Sequence, residues 1–218
     1  MSVSRFLEKI RLKIKKLYFR NTASIRQKKI HNKDFTIISN NCWGGLVYQS
    51  YGLPYQSPTA GLFILPDDYV KFVKDLKKYL SKKLEFIKPD ESKWRALLGE
   101  DFDYPVARLG DIEIYFVHYK TAEEAKEKWE RRAKRVNYDK VIYKMSDQNF
   151  CKKQNLEEFV RLPMKNKVCF VSKNYGINDT IRVKGVMATD DKAGGLWASR
   201  EPMGHSHLID LNKVVNEL

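Results

Sequence analysis

Long apolar runs are missing from this 218-residue chain, and even the stretch Ile112 to Val117 carries Glu113, so no segment reaches the roughly 20 residues that cross a bilayer. No membrane-spanning helix is expected. Eleven glycines and seven prolines are too few for a collagen-like repeat or a flexible linker, while 43% hydrophobic residues can fill a core. The chain reads as globular. Cysteine is scarce too: Cys42, Cys151 and Cys169 form no CxxC pair, and an odd number of thiols fits a reducing, cytoplasmic setting. A clean apolar core and small-residue cleavage site are lacking near the N-terminus, so no secretory signal is expected there. Neither GxGxxG nor GxxxxGK[ST] occurs, which argues against nucleotide binding through either of those loops.

Acidic residues are nearly absent from the first thirty positions. Glu8 stands there against ten Lys or Arg, so this arm holds +9 of the chain's formal +14. Within it Val3, Phe6, Leu7, Ile10, Ile14, Leu17 and Tyr18 recur at spacings of three and four, flanked by Arg5, Lys9, Arg11, Lys13, Lys15, Lys16 and Arg20. This predicts a basic amphipathic helix. Two readings stand: a surface helix packed on the domain through its Ile/Leu stripe, or residues 3–20 lying peripherally on an anionic membrane. Nucleic acid is disfavoured as a partner, because phosphate contacts need the cations but not so regular an apolar stripe.

Beyond the arm, residues 31–218 read as one α/β domain. Asp34 to Ser39 is a short buried strand running into Asn40, Asn41 and a Gly-rich loop. Pro66 opens a helix with Tyr69, Val70, Val73, Leu76 and Leu80 at helical spacing. Leu84 to Ile87 is a second strand, and Pro105 to Leu109 with Ile112 to Val117 reads as a hairpin turning at Gly110-Asp111. Thr121-Ala-Glu-Glu124 is a capping box for a helix reaching about Val136. Val141 to Tyr143, a helix near Leu156 to Val160, Val168 to Val171, an edge strand within Thr180 to Met187 and a helix within Leu208 to Leu218 complete the alternation. The expected architecture is a Rossmann-like three-layer domain on a mixed, mostly parallel sheet.

In such sheets ligands gather beyond the carboxyl ends of the strands. Asn40, Asn41, Cys42, Trp43, Gly44 and Gly45 follow the first strand, His118 and Tyr119 the hairpin, Ser146, Asp147 and Gln148 a later strand, and Ser172, Lys173 and Asn174 the next. Two glycines after Cys42 permit a tight turn whose N–H groups could face an oxyanion or phosphate. The thiol is a nucleophile if His118 lowers its pKa, and otherwise a small hydrophobe lining a pocket. Asp147 is a candidate base, or a loop carboxylate capping local N–H groups. Ser57 and Thr59 could hydrogen-bond a sugar or phosphate, or follow from a loop stiffened by Pro58. Asp111 could contact a donor, and Trp43, Tyr48, Tyr51 and Tyr55 could stack on sugar rings. His205-Ser-His207 has no third ligand of recognisable spacing, so a metal site is not expected.

Asn40-Asn-Cys-Trp-Gly-Gly45, Ser57-Pro-Thr59, Pro105-Val-Ala-Arg-Leu-Gly-Asp-Ile112, and His118-Tyr119 followed by Ala125, Trp129, Arg131 and Arg132 resemble the bacterial family called domain of unknown function 1919. The resemblance covers roughly residues 33–210 and implies a place in exopolysaccharide or capsule assembly. A looser similarity joins the Asn-Cys pair to polysaccharide-modifying acyltransferases. The resulting expectation is a transferase acting on a carbohydrate or lipid-linked saccharide. Its sharper form is acyl transfer from acyl-CoA through Cys42 and His118; the alternatives are a glycosyltransferase using a nucleotide sugar and a carbohydrate-binding assembly component.

Overall fold

The computed structural model of the chain describes residues 3–99, 102–184, 195 and 197–218, with the backbone alone for residues 3–9. Helix α1 (Val3–Gln27) precedes β1 (Thr36–Ser39), α2 (Trp43–Tyr51), α3 (Pro66–Lys74), α4 (Leu76–Leu80) and β2 (Glu85–Ile87). A 3-10 turn (Pro89–Glu91), α5 (Arg95–Leu98), β3 (Val106–Leu109), β4 (Ile112–Tyr115) and α6 (Ala122–Ala133) come next. The chain closes with β5 (Val141–Ser146), α7 (Lys153–Arg161), β6 (Lys167–Val171), β7 (Ile181–Arg182) and α8 (Leu211–Asn216).

Four strands form a parallel sheet in the order β1-β5-β6-β7. Strand side chains alternate between faces. Ile37, Ile142, Val168 and Phe170 pack with Trp43, Val47, Tyr48 and Tyr51 of α2 and Leu211 and Val215 of α8. Ile38, Met145, Cys169 and Val171 pack on the other side with Tyr69 and Phe72 of α3, Ala125 and Trp129 of α6, and Leu156 and Phe159 of α7. A sheet buried on both faces explains why its strands read as nearly unbroken apolar runs. The α/β class and the mostly parallel sheet are as expected.

The hairpin departs from the single-sheet expectation. β3 and β4 pair antiparallel with β2 in a separate sheet, so the residues after β4 do not come off the parallel sheet at all. Residues 61–64 join the two sheets: Ile64 N–H donates to Asn40 O at 3.1 Å, and Phe63 and Tyr115 exchange backbone bonds of 2.9 and 3.0 Å. This link carries His118, whose N–H donates to Gly61 O at 3.2 Å, to the end of β1.

The Gly-rich loop expected after β1 is a helix. Asn41 Oδ1 caps it by accepting from Trp43 N–H at 3.0 Å, and Trp43, Val47, Tyr48 and Tyr51 recur at helical spacing against the sheet. Gly44 permits this seat because a Cβ there would lie 3.0 Å from Ile37 Cγ2. Trp43, Tyr48 and Tyr51 are fully buried, which removes them as sugar-stacking surfaces. Two smaller differences are local. The helix expected from Pro66 breaks at Asp75, where φ is −140°, and only half of the capping box forms: Thr121 Oγ1 accepts from Glu124 N–H, while the Glu124 carboxylate accepts from Lys120 N–H.

Helix α1 overturns the expected packing through its Ile/Leu stripe. Phe19 is its buried anchor, and Arg26 reaches across to Ser50 O at 2.6 Å. Ile10, Ile14, Leu17 and Tyr18 face away from the domain, 42–63% exposed, while the side chains of Val3, Phe6 and Leu7 lie outside the described residues. Among the described residues no helix is long and apolar enough to cross a membrane.

Candidate functional site

A cavity of about 790 Å³ opens where β1 and β5 end. Helix α1 supplies Leu12 and Lys16 to its wall, the start of α2 supplies Asn41, Cys42 and Gly45, and the sheet-joining segment supplies Ala60, Gly61 and Phe63. His118 and Tyr119 enter after β4, Lys128 and Arg132 from α6, Gln148 and Asn149 after β5, and Trp197 to Ser199 from the chain before α8. Lys15 Nζ donates to Ser199 O at 2.8 Å, fastening the arm to that last segment.

The lining is one-sided in charge. Lys16, Lys128 and Arg132 reach it, and no Asp or Glu does among the described residues. Arg132 is held by Ala60 O at 3.0 Å and the Tyr119 hydroxyl at 2.6 Å, with its guanidinium over the Tyr55 ring. Lys128 pairs with Glu124, whereas Lys16 is exposed and has no polar partner among the described residues. Two N–H groups in the first turn of α2, those of Gly44 and Gly45, precede the first acceptor inside the helix, and the helix dipole favours negative charge there. Cations and helix end together suit a phosphate or carboxylate.

Cys42 and His118 share this cavity. The thiol donates to Leu62 O at 3.8 Å, and burial pushes its pKa up to about 12 although Lys144 pulls the other way. His118 is shifted below its ordinary value, first by burial and then by the charge of Lys16. A protonated thiol and a neutral imidazole are thus the favoured states in this cavity, not a thiolate and an imidazolium. Asp147 is not in the lining. Its buried carboxylate accepts from Ser172 N–H at 2.7 Å and Ser172 Oγ at 2.6 Å, tying the end of β5 to the loop after β6.

The other expected site residues divide cleanly. Asn41, Gly45 and Tyr119 line the cavity. Asn40 instead bridges β1 to β5 by exchanging bonds with the backbone of Ser146 at 3.1 Å each way, and Trp43 Nε1 donates to Pro202 O at 2.9 Å. Ser57 and Thr59 are buried hydroxyls that brace β1, with Thr59 Oγ1 accepting from Ser39 N–H. Asp111 sits on the hairpin turn, where Tyr79 and Lys71 hold its carboxyl low, at about 2. Lys173 lies over the Tyr175 ring, outside the lining. Phe102 and Asp103 lie outside the lining too, with Phe102 stacked on Tyr104.

Sequence reasoning missed the charged pair beside this site. Lys144 and Glu201 are completely buried; Lys144 Nζ donates to Glu201 Oε1 at 2.7 Å and to Asn41 Oδ1 at 2.9 Å. Burial lowers the Lys144 pKa, against the pull of Glu201. A signal existed for Lys144, a lysine inside Val141 to Ser146, whose other residues read as a strand buried on both faces. Arg132 also had one, three residues beyond Trp129 on the buried face of α6. Glu201 follows no pattern, and its partner is far away in sequence.

A parallel-sheet α/β domain with a cation-lined cavity at its carboxyl edge is the class of protein that fold and site define. The chain belongs to the family described as Domain of unknown function (DUF1919), whose model matches residues 13–214. It is also similar to a protein of Haemophilus influenzae described as an uncharacterized protein, with 34% identity over 149 residues, 68% of this chain and 67% of the relative.

Proposed function

We propose that this protein is a transferase of bacterial surface-polysaccharide assembly that moves a sugar from a phosphate-activated donor, such as a nucleotide sugar, to a hydroxyl of a saccharide precursor. The observation that carries this reading is the cavity lined by Lys16, Lys128 and Arg132 without a carboxylate among its described residues. The donor's bond from sugar carbon to phosphate oxygen breaks as the acceptor oxygen bonds to that carbon. Neutral His118 takes the acceptor's proton, and the departing phosphate keeps the bonding electrons beside Lys16 and Arg132. Asn41 and Gln148 offer hydrogen bonds, and Tyr55 and Tyr119 apolar surface, to the bound sugar. The family resemblance supports the polysaccharide setting, and the unpaired thiols support a cytoplasmic one, at the inner face of the cell membrane. Acyl transfer through Cys42 has less support because the thiol is held protonated and donates to a carbonyl.

Calorimetric titration of the full chain with a nucleoside diphosphate, nucleotide sugars, acyl-CoA and a neutral oligosaccharide tests the reading. Nucleotide sugars should bind, and Lys16→Gln should weaken them by about tenfold, the loss of roughly one charged contact. An acyl adduct on Cys42 in the intact mass after incubation with acyl-CoA would establish the covalent route instead. Binding of the oligosaccharide alone would leave a carbohydrate-binding component.

A further inference from the structure

We infer that the outward face of α1 docks on an anionic lipid bilayer while its inward face stays in the cavity wall. Ile10, Ile14, Leu17, Tyr18 and Ile25 are 42%, 63%, 50%, 60% and 59% exposed. At about 100° per residue they fall within one arc of roughly 100°. Leu12, Lys16 and Phe19, which meet the cavity or the core, fall on the opposite side of the same helix. The apolar stripe is therefore open without the arm leaving the domain. A continuous row of large apolar side chains on a surface marks an interaction site.

Charge identifies the occupant. Exposed Arg11, Lys13 and Arg20 border the stripe, and Glu8 is the single acid among the first thirty residues. Two copies joined through this face would press like charges together, whereas an anionic bilayer accepts the apolar row among its acyl chains and the cations among its headgroups. The docking face is independent of the reaction assigned to the cavity. It would set the cavity wall about one helix diameter, roughly 10–12 Å, from the headgroups.

Co-sedimentation of the full-length protein with phosphatidylglycerol vesicles and with phosphatidylcholine vesicles tests the inference. Binding should favour phosphatidylglycerol and weaken as salt rises. Ile14→Ser with Leu17→Ser, both at exposed positions, should weaken it by about tenfold or more without moving the melting temperature. If that pair melts early, Ile14→Gln alone gives the same comparison. Absence of binding at low salt, equal binding by the serine variant, or a solution dimer that this variant dissociates while the parent ignores vesicles would each overturn the proposal.

Discussion

Two groups of buried charge in this molecule are completed differently. Between α3 and the hairpin, Asp68 and Glu113 are both 1% exposed. Asp68 accepts from Lys93 Nζ at 2.8 Å and from Trp94 Nε1 and Glu113 N–H at 2.9 Å. Glu113 accepts from Ser92 Oγ at 2.7 Å, Tyr115 OH at 2.8 Å and Lys93 N–H at 3.1 Å. Every oxygen has a donor, and none of these residues lines the cavity. Beside the cavity, Glu201 Oε1 accepts from Lys144 and Asn41, but Oε2, though 2.6 Å from the Lys144 ammonium, makes no hydrogen bond among the described residues. Saturated buried charge fixes local geometry. Buried charge with fewer donors, one residue contact away from a cavity, depends on its counter-ion and a single amide.

The largest expected effect comes from breaking that dependence. Glu201→Ala strands a fully buried ammonium and should cost about 3–5 kcal/mol in urea unfolding, while Lys144→Met combined with Glu201→Leu should recover most of it. A loss under about 1 kcal/mol for the single variant would erase the contrast between the clusters. Tyr115→Phe removes one donor of several from Glu113, so a smaller loss of about 1–3 kcal/mol is expected, with ligand binding in the cavity unchanged. Reduced binding at full stability would show that the Glu113 group and the cavity are coupled.

The smallest effect concerns His118, titrated by NMR. Its midpoint should fall below the ordinary 6.5, and Lys16→Gln should move it upward by removing a neighbouring positive charge. Because the folded state binds this proton less tightly than the unfolded chain, the contribution to stability is complete above 6.5 and is lost as pH falls through the folded midpoint. Protonation over the same window fills the imidazole's proton-accepting site, so His118-dependent turnover should fall while affinity for anions rises. A midpoint above 6.5 would sink the assignment of His118 as a base that is neutral at pH 7.

The parallel sheet was legible because strands buried on both faces leave plain apolar runs. Cys42, His118 and Asp147 were expected around one cleft; the first two line the cavity and Asp147 does not, and because the hairpin belongs to a second sheet, residues 61–64 do the joining. Helix α2 was hidden by Gly44 and Gly45, poor helix formers, of which Gly44 sits where the helix presses on Ile37. Periodicity disclosed the apolar stripe of α1 but could not say which face the domain covers. The burial of Phe19 and the bond from Lys15 to Ser199 O, far along the chain, decide that.

The segment before α8 ties three distant parts of the chain into one opening unit. Ser199 O is held by Lys15 of the arm, Glu201 by Lys144 of the sheet, and Pro202 O by Trp43 of α2. Gly195 adds a backbone contact so close that a Cβ would lie 2.0 Å from Asp147 O. Lifting this segment uncovers Lys144 and loosens α1 together, so it cannot fray as an ordinary loop does. In hydrogen-exchange terms, backbone amides of residues 197–201 and of β5 should share one opening free energy, and removing the arm should accelerate exchange in both.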